Sequence, residues 1–187
     1  MTRARVILPA LGLALWCGVA AAGDRIKVVT TTSDLRSLAQ EVGKERIEAI
    51  NLAPPAQDIE AYEPRPHDVQ KLRDAKLVVR IGLDYDLWLN RLLRDADVDL
   101  RRGGKGYVDA SVGIPLIEIR STSFDAAPGH SHGAGNPHYW LDPANAEVIT
   151  GGIMEGLSRI DPAHGATYRN NRNAFLARLK PRIVEWR

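Results

Sequence analysis

The chain has 187 residues, of which 44% are hydrophobic and 26% charged, with a formal net charge of +2. A single cysteine excludes a disulfide scaffold, and the composition excludes a disordered or collagen-like chain. The length suits one domain with a sizeable core, with or without an appendage. Residues 1–22 read as a removable export leader. Arg3 and Arg5 form a positive head, Val6 to Val19 is almost wholly apolar, and Ala20-Ala21-Ala22 supplies small side chains before Gly23. This stretch is short for a membrane span, contains Pro9 and lacks a charged stop. Trp16 is a poor neighbour for a lipidated Cys17, so cleavage and release into the periplasm are expected. Removing Arg3 and Arg5 from the basic count leaves 23, equal to the 23 acidic residues. A balanced chain without a basic block gives no case for nucleic acid. Cleavage also removes the one thiol, which excludes cysteine nucleophiles and thiolate metal sites.

After the leader, strands and helices alternate. Ile26 to Thr31 is a β-branched run and reads as a first buried strand. Ser33 is placed to cap a helix carrying Leu35, Leu38, Ala39 and Val42 at helical spacing, stopped by Gly43. Arg46 to Leu52 reads as a second strand, broken by Pro54-Pro55. Pro64-Arg65-Pro66 makes a turn, and Asp68 is expected to cap a helix from Val69 to Ala75. Leu77 to Gly82 is a third strand, Tyr85 to Leu93 a further helix, and Tyr107 to Ala110 a fourth strand. Short strands separated by helices predict a four-stranded parallel sheet flanked by helices on both faces. Ligands of such sheets sit in the crevice beyond the carboxyl ends of the strands.

Residues 120–137 form a loop rich in Gly, Ser, Pro and His. Asp142-Pro143 and Asp161-Pro162 each place an N-cap before a proline at the first helical position. From Pro162, the apolar residues Tyr168, Phe175, Leu176, Leu179, Ile183 and Trp186 follow helical spacing, and Pro181 is expected to kink or divide that helix. Phe175, Leu179, Ile183 and Trp186 predict an apolar face in need of a partner surface.

The histidines carry the chemical signal. His130 and His132 lie in the glycine-rich loop, and His138 lies within Asn136-Pro137-His138-Tyr139-Trp140-Leu141-Asp142-Pro143. Imidazoles suit first-row transition metals, and a thiol-free site must draw on His, Asp and Glu. Asp58, Glu60, Glu63 and Asp68 are the carboxylate candidates, around the turn after the second strand. His67 and His164 read more simply as surface residues, and His130 and His132 as loop solvation. No G-x-S-x-G elbow, Walker loop or G-x-G-x-x-G follows a strand. A hydrolase built on Glu60 and Glu63 has no supporting geometry in the sequence.

The leader, Val28-Val29-Thr30-Thr31-Thr32-Ser33, the Gln57-Asp58 to Pro66 segment and the Asn136-to-Pro143 block occur in one order. Together with the terminal helix, from about Ile26 to Trp186, they resemble the periplasmic metal-binding proteins of ABC transporters for zinc, manganese or iron. The Pro-His-Tyr-Trp-Leu-Asp-Pro block is the most specific part, supported by Tyr62-Glu63-Pro64-x-Pro66. The resemblance implies two α/β lobes joined by a rigid helix, with the metal in the cleft between them. It assigns residues 23–160 to the first lobe and 161–187 to the linker helix, and leaves the second lobe absent.

The resemblance makes His138 a metal ligand. Where relatives have Asp-Pro-His, this chain has Asp58-Ile59-Glu60, so Glu60 takes the ligand position with a harder donor, favouring manganese or iron relative to zinc. His67, seven residues on, is the other candidate for that role. Two histidines on the 120–137 loop would collect metal weakly. Asp142 is expected to cap a helix rather than ligate. The function implied is capture of a divalent transition metal (Zn2+, or Mn2+ or Fe2+) for delivery to an ABC permease of the inner membrane, without catalysis. A periplasmic metallochaperone is the alternative; a metal-dependent hydrolase is a weaker one. The short length is explained by truncation, an interrupted gene, or a single lobe that pairs with another chain, with truncation favoured.

Overall fold

The computed structural model describes residues 25–55, 57–117 and 135–186. Four parallel strands form one sheet in the order β2-β1-β3-β4: β1 (Ile26–Thr30), β2 (Ile47–Asn51), β3 (Leu77–Arg80) and β4 (Tyr107–Asp109). The register pairs Val28 with Ala49 and Leu77, and Val79 with Val108. Alternate residues of each strand point to opposite faces, and the core divides accordingly. Val28, Leu77, Val79 and Val108 face one cluster, and Val29 and Val78 face the other.

The first face is covered by α1 (Ser33–Gly43), α4 (Ala146–Ile160) and α5 (Gly165–Trp186). Helix α4 sends Ile149, Ile153 and Leu157 into this core with at most 1% of each exposed. Each such side chain contributes about 1.5–3 kcal/mol. The second face is covered by α2 (Pro66–Leu72), α3 (Leu89–Leu93) and the aromatic pair Tyr62 and Trp88. Among the described residues no helix is long and apolar enough to cross a membrane.

Several element ends differ from the expected ones for identifiable reasons. Thr32, not Ser33, caps α1, because its Oγ1 accepts from Leu35 N at 3.2 Å. Asp68 is the third residue of α2 rather than its cap. Pro66 starts that helix, and Asp68 reaches back so that its Oδ2 accepts from Arg65 N at 2.8 Å. Asp142 does cap, with Oδ1 accepting from Ala144 N at 2.9 Å, but the turn it starts is a 3-10 turn (Pro143–Asn145) leading into α4. Asp161 makes no side-chain cap and joins Arg46, His164 and Tyr168 instead. The helix after it opens as a 3-10 turn at Pro162–His164.

Helix α5 is not divided at Pro181. Both Pro181 and Ala177 are exposed, so the carbonyl that loses its donor is left to water. The apolar face expected along α5 is only partly open. Phe175, Leu179 and Ile183 are half-buried, while Val184 and Trp186 are exposed by 76% and 64%. The helix is fastened to α1 and α4 by Asn171 donating to Val42 O at 3.0 Å and by Arg178–Glu41 and Lys180–Glu147 ion pairs.

Candidate metal centre

The site begins with a charge buried at the end of β3. Arg80 points into the second core, and its Nε and Nη2 donate to Asp86 Oδ1 at 2.9 and 2.7 Å. The other oxygen of Asp86 accepts from Ile81 N at 2.7 Å. A buried guanidinium needs such a partner, and meeting that need folds the chain after β3 back on itself. Gly82, Leu83 and Asp84 take up positive φ of 80°, 50° and 62° in succession. This reversal is why the helix expected from Tyr85 starts only at Leu89. It leaves Tyr85, 8% exposed, beyond the carboxyl end of the strand.

The Glu60 segment arrives from β2. Glu60 N donates to Asp58 Oδ1 at 3.0 Å, a local turn bond that shapes the loop. The Trp88 indole donates to Ile59 O at 2.8 Å, and Tyr62 meets Trp88 edge-on at 4.8 Å. The Tyr62 hydroxyl donates to Asp68 Oδ2 at 2.6 Å, and burial together with that carboxylate pushes it up to about 12. Glu60 itself is half-buried. Burial also raises the Tyr85 hydroxyl, and the negative charges of Asp58 and Glu60 raise it further.

His138 arrives from the far side. Tyr139 anchors its segment by donating from its hydroxyl to Ile81 O at 2.6 Å, and Asn145 Nδ2 donates to Tyr139 O at 2.9 Å. In the 3-10 turn (Tyr139–Leu141) Tyr139 is turned inward and Trp140 is half-buried against the first core, while Leu141 and, before the turn, His138 are exposed. His138 is exposed, with its ring 5.1 Å from Tyr85 and 5.4 Å from Trp140. Its Nδ1 lies 3.0 Å from Asn136 Oδ1. Tyr85 thus stands against the His138 ring, and Ile59, the residue before Glu60, packs against the core cluster to which Tyr85 belongs.

The other candidates fall elsewhere. His67 is exposed at the start of α2, with its Nε2 3.3 Å from Asp68 Oδ1, an oxygen that also lies 3.0 Å from Lys71 Nζ. Burial would raise the Asp68 carboxyl, but donation from Tyr62, Arg65 N and Lys71 outweighs it and holds the group below the usual carboxylate range. His164 is structural: its Nδ1 lies 2.8 Å from Asp161 Oδ1 and 3.1 Å from Arg46 Nη2, where α5 begins. His130, His132 and the leader lie outside the described residues. Among the described residues no three His, Cys, Asp or Glu side chains are grouped as a metal ion requires. Beyond the Gly82-to-Asp84 turn lies a concavity of about 650 Å³ bordered by Arg80, Asn90, Arg94, Arg102 and Asp109. Its arginines make it unsuited to a cation.

Sequence reasoning gave no part to Tyr85, Trp88 or Asn136. The signal for Asn136 was its position two residues before His138, the spacing at which an Asn side chain bonds back to the following backbone.

The profile of the family described as zinc-uptake complex component A, periplasmic, matches residues 28–186. The chain belongs to this family. Individual members agree with that membership. The chain is 31% identical over 168 residues to a metal-binding protein of Treponema pallidum (strain Nichols), covering 88% of this chain and 52% of that protein. It is 28% identical over 164 residues to the iron ABC transporter substrate-binding lipoprotein MtsA of Streptococcus pyogenes serotype M1, covering 86% and 50%. The chain thus spans about half the length of the curated relatives it matches. Among solved structures, a periplasmic metal-binding protein of Candidatus Liberibacter asiaticus shares the fold with a TM-score of 0.71 at 20% identity, over 86% of this chain and 55% of that one. The crystal structure of ZnuA gives 0.70 at 26% identity, over 84% and 57%. The four-stranded sheet with its long terminal helix is thus a lobe of the kind this family builds.

Proposed function

We propose that this chain is the metal-capturing part of a substrate-binding component for divalent transition-metal uptake, exported beyond the inner membrane by its leader and serving an ABC permease. Residues 23–160 form its lobe and α5 its linker. The observation that carries this reading is the His138 ring held against Tyr85, whose core cluster also receives Ile59 beside Glu60, beyond the carboxyl ends of β2 and β3. One imidazole and one carboxylate are a fitting start for a first-row metal and a harder pair than two imidazoles, which favours manganese or iron(II) over zinc. His67 is the weaker donor of the three, because its Nε2 is already turned to Asp68. The remaining coordination positions are taken by water, by residues outside the described ones, or by a second lobe or partner chain.

The chain from Gly23 is titrated calorimetrically with zinc, manganese and iron(II) in one buffer. One-to-one binding at micromolar strength or tighter, lost in His138→Ala, is the expected result. Unchanged binding in that variant would remove His138 from the site.

A further inference from the structure

We infer that Asn136 is a positioning residue that selects the tautomer of His138, so that the ring offers Nε2 to a metal ion; the consequence for binding rests on His138 being a ligand. Asn136 Oδ1 lies 2.9 Å from the backbone N of His138 and 3.0 Å from its ring Nδ1. A backbone N–H can only donate, so the amide atom facing it is the oxygen and the orientation of the amide is fixed. That same oxygen can only accept, so Nδ1 must carry the proton. A neutral imidazole has one N–H, and Nε2 is left with its lone pair, the form in which histidine ligates.

The aromatic neighbours cannot make this choice. Tyr85 at 5.1 Å and 70°, and Trp140 at 5.4 Å and 34°, restrict the plane of the ring. A half-turn of the imidazole exchanges carbon and nitrogen edges of nearly the same shape, and packing does not distinguish them. Asn136 does, because the turned ring would present a carbon to its oxygen. The ring is exposed and its Nε2 has no partner among the described residues. Asn136 thus does for His138 what outer partners commonly do for ligating histidines: it fixes tautomer and direction before the metal arrives.

The test reads the tautomer directly in the metal-free chain. Two-bond nitrogen–proton correlation spectra of the 15N-histidine-labelled protein in alkaline buffer, assigned by His138→Ala, should show a protonated Nδ1 and an unprotonated Nε2 at His138. Asn136→Asp keeps an acceptor and should keep that pattern, with metal affinity equal or higher. Asn136→Leu should lose the pattern, giving mixed or Nε2-protonated forms, and lose about tenfold or more in affinity. An Nε2-protonated His138 in the unaltered protein, or an unchanged tautomer in Asn136→Leu, overturns the inference. Metal binding unchanged by His138→Ala would instead overturn the ligand assignment, and the spectra would still decide the tautomer.

Discussion

The indole N–H of Trp88 donates to the carbonyl of Ile59 at 2.8 Å, tying the residue before Glu60 to the segment that follows β3. The Glu60 loop has no regular secondary structure of its own, so this bond and the Tyr62–Trp88 contact set its position. Trp88→Phe keeps most of the packing and removes the bond. It should cost about 1–2 kcal/mol in urea unfolding and weaken metal binding several-fold. Full destabilisation with undiminished affinity would mean that Glu60 does not depend on this loop position.

The family resemblance of the sequence implies a histidine at the position that Glu60 takes. An oxygen donor in place of nitrogen shifts preference toward harder ions. Glu60→His should therefore raise the affinity for zinc relative to manganese, measured as the ratio of the two dissociation constants in one buffer. A ratio that does not move would take Glu60 out of direct coordination.

His138 and His164 differ in what they touch, and their removal should differ in kind. His164 binds Asp161 beside Arg46 at the foot of α5, so His164→Ala should lower stability by about 1 kcal/mol and leave metal stoichiometry intact. His138 is exposed, and His138→Ala should abolish stoichiometric binding while hardly changing the melt. Calorimetry and thermal unfolding on both variants read the contrast, and loss of binding in His164→Ala would reverse the assignment.

The sheet was legible because its signals are local. Ile26 to Thr30 and Leu77 to Arg80 are β-branched or apolar runs bounded by turn residues, and both became central strands. The ends of elements were less so, since Thr32 and Ser33 are equally good caps on paper and only the backbone decides between them. The candidate site was half legible. His138 and Glu60 were visible as candidate donors in a motif, but the ring that stands against His138 was not. Tyr85 meets that ring because Arg80 is buried and Asp86 turns back to meet it, a long-range demand that helical spacing from Tyr85 to Leu93 conceals.

That turn supplies a test of its own. Gly82 has a φ of 80°, and a Cβ placed on it would collide with the Asp109 carboxylate. Gly82→Ala faces both backbone strain and a collision at the end of β4, and should lose about 2 kcal/mol or more. Tyr85 would shift with the turn, so metal affinity should fall together with stability. A variant of native stability in urea unfolding would show that the turn adapts more easily than its geometry implies.

Asp68 gives the clearest dependence on pH. Its side chain is wholly buried, and Tyr62, Arg65 N and Lys71 stabilise the charged form strongly enough to lower its pKa in the fold. Near the ordinary carboxylate value the unfolded chain therefore binds more protons than the native one, and stability rises with pH through that window. The contribution is complete above about pH 5 and disappears as pH falls through the lowered value of the folded state. Asp68→Asn keeps the size and an acceptor for Tyr62 but not the charge beside Lys71, and should cost about 1–3 kcal/mol at neutral pH. Asp161 and Glu41 are also held low in the fold, but they are common to both proteins and drop out of the difference. Urea midpoints measured from neutral to acid pH should thus converge as Asp68 takes up its proton in the parent protein. A gap that stays constant into acid would mean that shape rather than charge makes Asp68 necessary.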